Sequence, residues 1–432
     1  MHALRRLWHD TAGGLPATFW YLWAGLLINR AGAFAMLFLS LYLTDVRGAS
    51  IGLAGTVVGA YGAGGAAGVL LGGVLADRWG RRSTLLAAHL STVALMVALA
   101  FSQHLLLIAV LSALVGVVHS MPSPAFVAAI VDVVPAERRS RAFNLQFWAF
   151  NLGMAVASLL AGVLAEASFT ALFLVDAGAT LTAAAVIGWK VPETLRPADS
   201  APATHASLRP RRPGGLHTAL TDRTFLVFVG LTFVLAVLTM QTSTIMPLAM
   251  RADGLGPSAY GLVVALGGAL IVIGQLFVPR LIDRHRKDVV LAASTALLAL
   301  GFGVLVAADE LAVYLGAAAV WTIGSMLAAP PNAQINADLA PPQLRARYQA
   351  VFYLTFPAAA FVAPTLGGVS LQHLGDRHWL LVGGLGLAAA VGHLIAGPPR
   401  ERHVAALRRE QTPSAAPHDP RHGKAPTTAL RS

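Results

Sequence analysis

Cysteine is absent from all 432 residues, which removes disulfide frameworks, thiolate nucleophiles and cysteine metal sites at once. Charge is scarce as well. Asp, Glu, Lys and Arg make up 12% of the chain, about half the share of a soluble domain. Lysine is nearly missing, with Lys190, Lys287 and Lys424 the only three among 31 basic residues. No G-x-x-x-x-G-K-[ST] loop occurs, which argues against a nucleotide-driven pump in this chain. No cofactor and no metal site is expected.

What is there is apolar. Hydrophobic residues form 56% of the chain and mean hydropathy is +0.66. A bilayer-crossing helix takes about 20 residues, so the apolar content suffices for roughly twelve. The runs fall at 17–43, 50–75, 84–102, 105–131, 142–166 and 169–189. A second set falls at 223–248, 257–280, 289–307, 311–333, 347–371 and 379–397. Their length and continuity predict helices, since a transmembrane barrel would show short alternating segments. The first run is too long for a signal-peptide core and is kept as a span. The fold class expected is an all-α integral membrane protein of twelve spans in two six-helix bundles. Residues 1–16 precede the bundle of 17–189, residues 190–222 form a Pro- and Arg-rich linker, and 223–397 form the second bundle. Residues 398–432 are expected to be a disordered tail.

The net charge of +11 does not form a nucleic-acid surface, because the charges lie between apolar runs. With the N-terminus placed in the cytoplasm, Arg47, Arg251 and Arg377 fall outside and Arg30 falls within a span. That leaves 27 of the 31 basic residues on the cytoplasmic side, a strong positive-inside bias. Both termini are then cytoplasmic.

The halves repeat. Gly73-Val-Leu75-Ala-Asp77-Arg78-Trp-Gly80-Arg81-Arg82 aligns with Pro279 to Asp288, including Asp283 and Arg284, at a shift of 206 residues. Pro124, Asp132, Pro135, Arg139 and Arg141 match Pro330, Asp338, Pro341, Arg345 and Arg347 at the same shift. Two motifs sharing one offset point to a parallel duplication of a six-helix unit.

On these residues the chain resembles the major facilitator superfamily. Gly73 to Arg82 matches that family's G-x-L-x-D-R-x-G-R-R signature between helices 2 and 3. The stretch Pro135 to Arg139, followed by Asn151-Leu-Gly153, is similar to bacterial drug-efflux branches. Where those branches carry Gly-Pro in helix 5, this chain has Ala157-Ser158, and 105–131 hold no Arg or Lys. The resemblance implies a multi-pass carrier of the bacterial inner membrane, expected to be monomeric, that moves a small molecule by alternating access. Proton-coupled efflux of a lipophilic compound is the expectation, with uptake of a nutrient or organic anion, or a non-transporting sensor, as alternatives. It further implies that Gly73, Asp77, Arg78, Gly80, Arg81, Arg82, Asp132, Arg141, Asp283 and Arg284 form a network that holds one conformation.

Intramembrane charges are functional candidates by default. Arg30 lies about 13 residues into the first span and Asp176 about seven into the sixth from the other side. At about 1.5 Å per residue the two depths agree, which predicts an Arg30–Asp176 ion pair, with Asp176 as an alternative proton carrier or Arg30 as a seat for an anionic group. His119 reads as a hydrogen-bonded packing residue, and Glu166 as solvated near an outer end. Polar and aromatic residues at helical spacing nominate a cavity lined by Asn144, Trp148, Asn151, Gln241, Trp321, Asn332, Tyr348 and Phe352.

Overall fold

The computed structural model describes residues 13–195, 215–274, 277–278, 282, 285–341 and 344–411. Asp283 and Arg284 lie outside the described residues. Among the described residues, twelve helices are long and apolar enough to cross a membrane. They are α1 Ala17–Val46, α2 Ile51–Trp79, α3 Arg81–Phe101, α4 Leu105–Val133, α5 Arg141–Ala167 and α6 Phe169–Lys190 in the first half. The second half has α7 Arg223–Ala252, α8 Pro257–Gly274, α9 Lys287–Ala307, α10 Leu311–Leu339, α11 Arg347–Leu374 and α12 Arg377–Leu407. Each expected span has its helix, but the last helix runs past the expected end at 397 to Gln411, into the segment expected to be disordered, and a short helix, Gly215–Thr221, lies within the expected linker.

Local chemistry sets the breaks. Ser50 accepts from the Leu53 amide at 3.3 Å and starts α2, as an N-cap should. Gly80, at φ 100°, separates α2 from α3 in a conformation that side chains disfavour. The regular part of α1 stops at Gly32 and a 3-10 turn follows over Ala35–Leu37. In α4 the helix restarts at Pro122, a residue suited to a first helical turn.

The exterior is apolar. Leu106 keeps 79% of its surface exposed and Ile395 71%, the reverse of a water-soluble surface and what a lipid belt requires. Within the first half α1 lies against α5 and α6, α2 against α4, and α3 against α6. In the second half α9 lies against α10 and α12, and α7 against α11 and α12. The halves meet along two seams, α2 with α11 and α5 with α8.

Candidate substrate cavity and its gates

Small residues make the seams. A Cβ on Gly55 would collide with the Pro364 carbonyl, and one on Gly59 with Thr365 Oγ1 and the Phe361 carbonyl. A Cβ on Gly261 would collide with the Ser158 carbonyl. Such residues let backbones approach closely in lipid. Gly64, Gly68 and Gly72, by contrast, face α4 within their own half. The four-residue glycine spacing of α2 therefore serves two faces.

Polar ties reinforce the seams at the end away from the Gly73–Arg82 hairpin. Asp45 Oδ2 lies 2.9 Å from Arg251 Nε. Gln372 Oε1 accepts from the Gly52 amide at 2.8 Å. Ser258 donates to Glu166, so Glu166 bridges the halves. These ties close that end.

Between the halves lies a cavity of about 200 Å³. Met36, Met154, Met240, Phe150, Leu37 and Val58 give it an apolar wall, and Arg30, Tyr61, His119, Ser243 and Thr244 supply polar groups. Tyr61 and His119 Nδ1 are 3.0 Å apart. The Arg30 guanidinium carbon stands 4.7 Å from the Phe150 ring centroid, within cation–π range.

None of the eight residues nominated from the sequence borders this cavity among the described residues. Asn144 and Trp148 are exposed, and Asn151 donates to Phe147 of its own helix at 2.9 Å. Gln241 is buried beside Gly367. Asn332 accepts from Thr232 at 3.0 Å, and Tyr348 donates to Asp222 at 3.0 Å. Trp321 stacks on Phe302, centroids 5.0 Å apart, and Phe352 on Phe228 at 5.8 Å. Asn151, Asn332 and Tyr348 are claimed by bonds inside their own half. On α5 the cavity face is Phe150 and Met154, four residues apart, and not the amide-bearing face.

The expected Arg30–Asp176 ion pair is not made; no bridge joins them within 4.0 Å among the described residues. Asp176 Oδ2 accepts from the Ala35 amide at 3.2 Å, and its Oδ1 from Thr180 at 3.5 Å. Asn29 donates to Thr180 at 3.1 Å. The break in α1 explains the change, since it frees an amide that the buried carboxylate can take. Arg30, on the far side of the break, turns to the cavity.

At the hairpin, Arg81 Nε is 3.0 Å from Asp132 Oδ2, and Arg81 Nη2 is 3.8 Å from the exposed Asp77. Arg82 donates to the Gly188 carbonyl at 2.5 Å. Arg78 is exposed. A Cβ on Gly73 would meet nothing within 4 Å, so no close approach depends on it here. Arg141 donates to the Gly13 carbonyl at 3.1 Å instead of joining Asp132.

Glu193 joins this cluster without being among the residues expected from the sequence. Its carboxylate takes the Arg81, Arg82 and Ser83 amides at 2.8, 3.4 and 3.3 Å, capping α3 from the end of α6. Burial works to raise its pKa, but the Leu195, Ser83, Arg81 and Arg82 amides outweigh burial and hold it below the ordinary value. Its neighbour Thr194 donates to Asp132 at 3.1 Å. A Glu placed just beyond a span, facing a helix start, is the signal that marks it.

Twelve helices in two repeated halves around a central cavity define a membrane transporter. The Major Facilitator Superfamily profile matches residues 22–331 and 230–431, and the chain belongs to that superfamily. Over 372 residues it is 26% identical to the uncharacterized MFS-type transporter YttB of Bacillus subtilis (strain 168), spanning 85% of this chain and 91% of that protein. It is equally 26% identical over 384 residues to the multidrug resistance protein MdtH of Aeromonas hydrophila subsp. hydrophila, with 85% and 92% covered. Other relatives are named as a cation/proton antiporter and a gallate transporter. A peptide transporter POT crystallised with sulfate superposes with a TM-score of 0.74 at 18% identity, over 90% of this chain and 96% of that one. That likeness shows the fold.

Proposed function

We propose that this transporter exports a small lipophilic compound across the bacterial inner membrane, coupled to proton movement, as a monomer. The observation that carries this reading is the wall of the cavity between the halves. Three methionines and Phe150 give an adaptable apolar surface with a few polar handles, the lining suited to a mostly apolar ligand. A relative named for multidrug resistance supports export.

The positive-inside bias puts the hairpin, both termini and the linker in the cytoplasm. In that orientation the closed end faces outward, and the conformation described is one that would accept a substrate from inside. The Asp77–Arg81–Asp132 cluster, with Arg82 and Glu193, then ties α2, α3, α4 and the end of α6 together on the cytoplasmic side of the first half and holds this one conformation. Asp176, 1% exposed, is our candidate proton carrier. A proton on it would weaken its hold on the Ala35 amide and so couple titration to the break in α1.

Membrane vesicles of both orientations test the proposal. A fluorescent lipophilic probe should accumulate in everted vesicles and be released when a protonophore collapses the gradient. Accumulation confined to right-side-out vesicles would establish uptake and overturn export.

A further inference from the structure

Two residues that line the cavity each carry a buried nitrogen with no hydrogen-bond partner. Arg30 Nε and His119 Nε2 are both unpartnered, and both residues line the same 200 Å³ space. Tyr61 occupies His119 Nδ1 at 3.0 Å; with its hydroxyl donating, Nε2 carries the ring proton and is a free donor. Native proteins leave few buried donors unmet, and two in one apolar pocket mark a place where an acceptor belongs. The acceptor is not a carboxylate of this chain. Asp176 is engaged with Ala35 and Thr180, and no Asp or Glu borders the cavity among the described residues.

We propose that Arg30 and His119 form an oxyanion seat, and that the transported compound is a lipophilic anion, a carboxylate or sulfonate on an apolar body. This rests on the reading of the cavity as the transport site. A guanidinium offers a planar fork that matches two oxygens of one anionic head. His119 adds a further donor from α4, and Phe150 with the methionines holds the apolar body. A lipophilic cation finds no counter-charge there and meets the Arg30 charge directly.

Three probes with one ring system separate the possibilities: naphthalene-1-sulfonate, 1-naphthylmethylammonium and 1-naphthalenemethanol, titrated against the whole chain in lipid nanodiscs. The sulfonate should bind about tenfold tighter than the ammonium, as expected for one charge-assisted contact. Arg30→Gln should remove that preference, weakening the sulfonate far more than the neutral alcohol, and retained alcohol binding reports an intact fold. His119→Phe should weaken the sulfonate selectively and by less. If Arg30→Gln does not fold, Arg30→Lys and His119→Phe carry the test through the same sulfonate-to-alcohol ratio. Phe150→Ala should weaken all three probes alike. Equal binding of the three probes, with none selectively changed by the Arg30 or His119 variants, overturns the seat while leaving the cavity as the site. No binding by any probe, or binding indifferent to Phe150→Ala, overturns the cavity reading itself.

Discussion

Asp45 and Arg251 are 206 residues apart in sequence and 2.9 Å apart in space. That separation is the repeat offset, so each is the other's counterpart in the duplicated unit. Counterparts can touch only near the axis that relates the two copies. Their neighbours Arg47 and Asp253 are also counterparts, again with the signs exchanged. The same offset carries the Arg81–Asp132 bridge at 3.0 Å onto Lys287–Asp338 at 2.8 Å. It also carries the Gly55–Pro364 approach onto Gly261–Ser158. Duplication is thus written into contacts, as well as into sequence.

Reversing one charge of the axial pair should loosen the closed end, and reversing both should restore it. The pair is half exposed on the Arg251 side, and such bridges contribute about 0–1 kcal/mol. Asp45→Arg should therefore shift the balance between conformations by up to about fivefold, a little more where like charges meet. The double variant Asp45→Arg with Arg251→Asp should return to the starting balance. Distances between spin labels on cysteines introduced beside Gly52 and Gln372 would read it, in a chain with no cysteine of its own.

Adding branches at the seams should trap the protein in the other conformation. Gly55→Val meets a backbone carbonyl that cannot swing aside, and overpacking of this kind costs about 1–3 kcal/mol. Gly261→Val should act the same way through Ser158. Both should abolish transport while each still unfolds as one cooperative unit. Gly73→Val, with open space around its Cβ, should transport normally.

Glu193→Ala should lower the thermal stability of the first half by about 1 kcal/mol, the usual value of a helix cap. Because the Glu193 pKa is lowered, its contribution is complete above the ordinary carboxylate value and is lost as pH falls through the lowered folded value. Melting curves of wild type and variant should therefore stay parallel between about pH 6 and 8 and converge in acid.

Asp176→Leu should destabilise the protein by about 1–3 kcal/mol, because the Ala35 amide would lose its acceptor in an apolar surround. Asp176→Asn keeps an oxygen for that amide and should fold. If it carries the coupling proton, the asparagine variant will lose dependence on the proton gradient. Transport with an unchanged pH profile would leave Asp176 with a structural duty alone.

The spans were legible because apolar length is a long, redundant signal, and the Arg bias marks loops independently of it. The hairpin cluster was legible as a motif, although Arg141 bonds to a carbonyl that no pattern announces. The cavity was not. Asn332, Tyr348 and Asn151 look like ligand contacts in a string of letters, yet each satisfies a partner inside its own half. Phe150, Met154 and Met240 look like ordinary core and line the cavity. Arg30 and Asp176 agree in depth, but a helix that ends at Gly32 offers the carboxylate a backbone amide, an alternative that depth alone does not reveal.

That ending has a second effect on Arg30. It occupies the last turn of the regular helix Ala17–Gly32, where the backbone dipoles leave a partial negative charge. The guanidinium is therefore balanced in part by carbonyls, which hold no exchangeable proton. Acidity on either side of the membrane cannot neutralise that counterweight, so the break in the helix gives the guanidinium a partner that no change of pH removes.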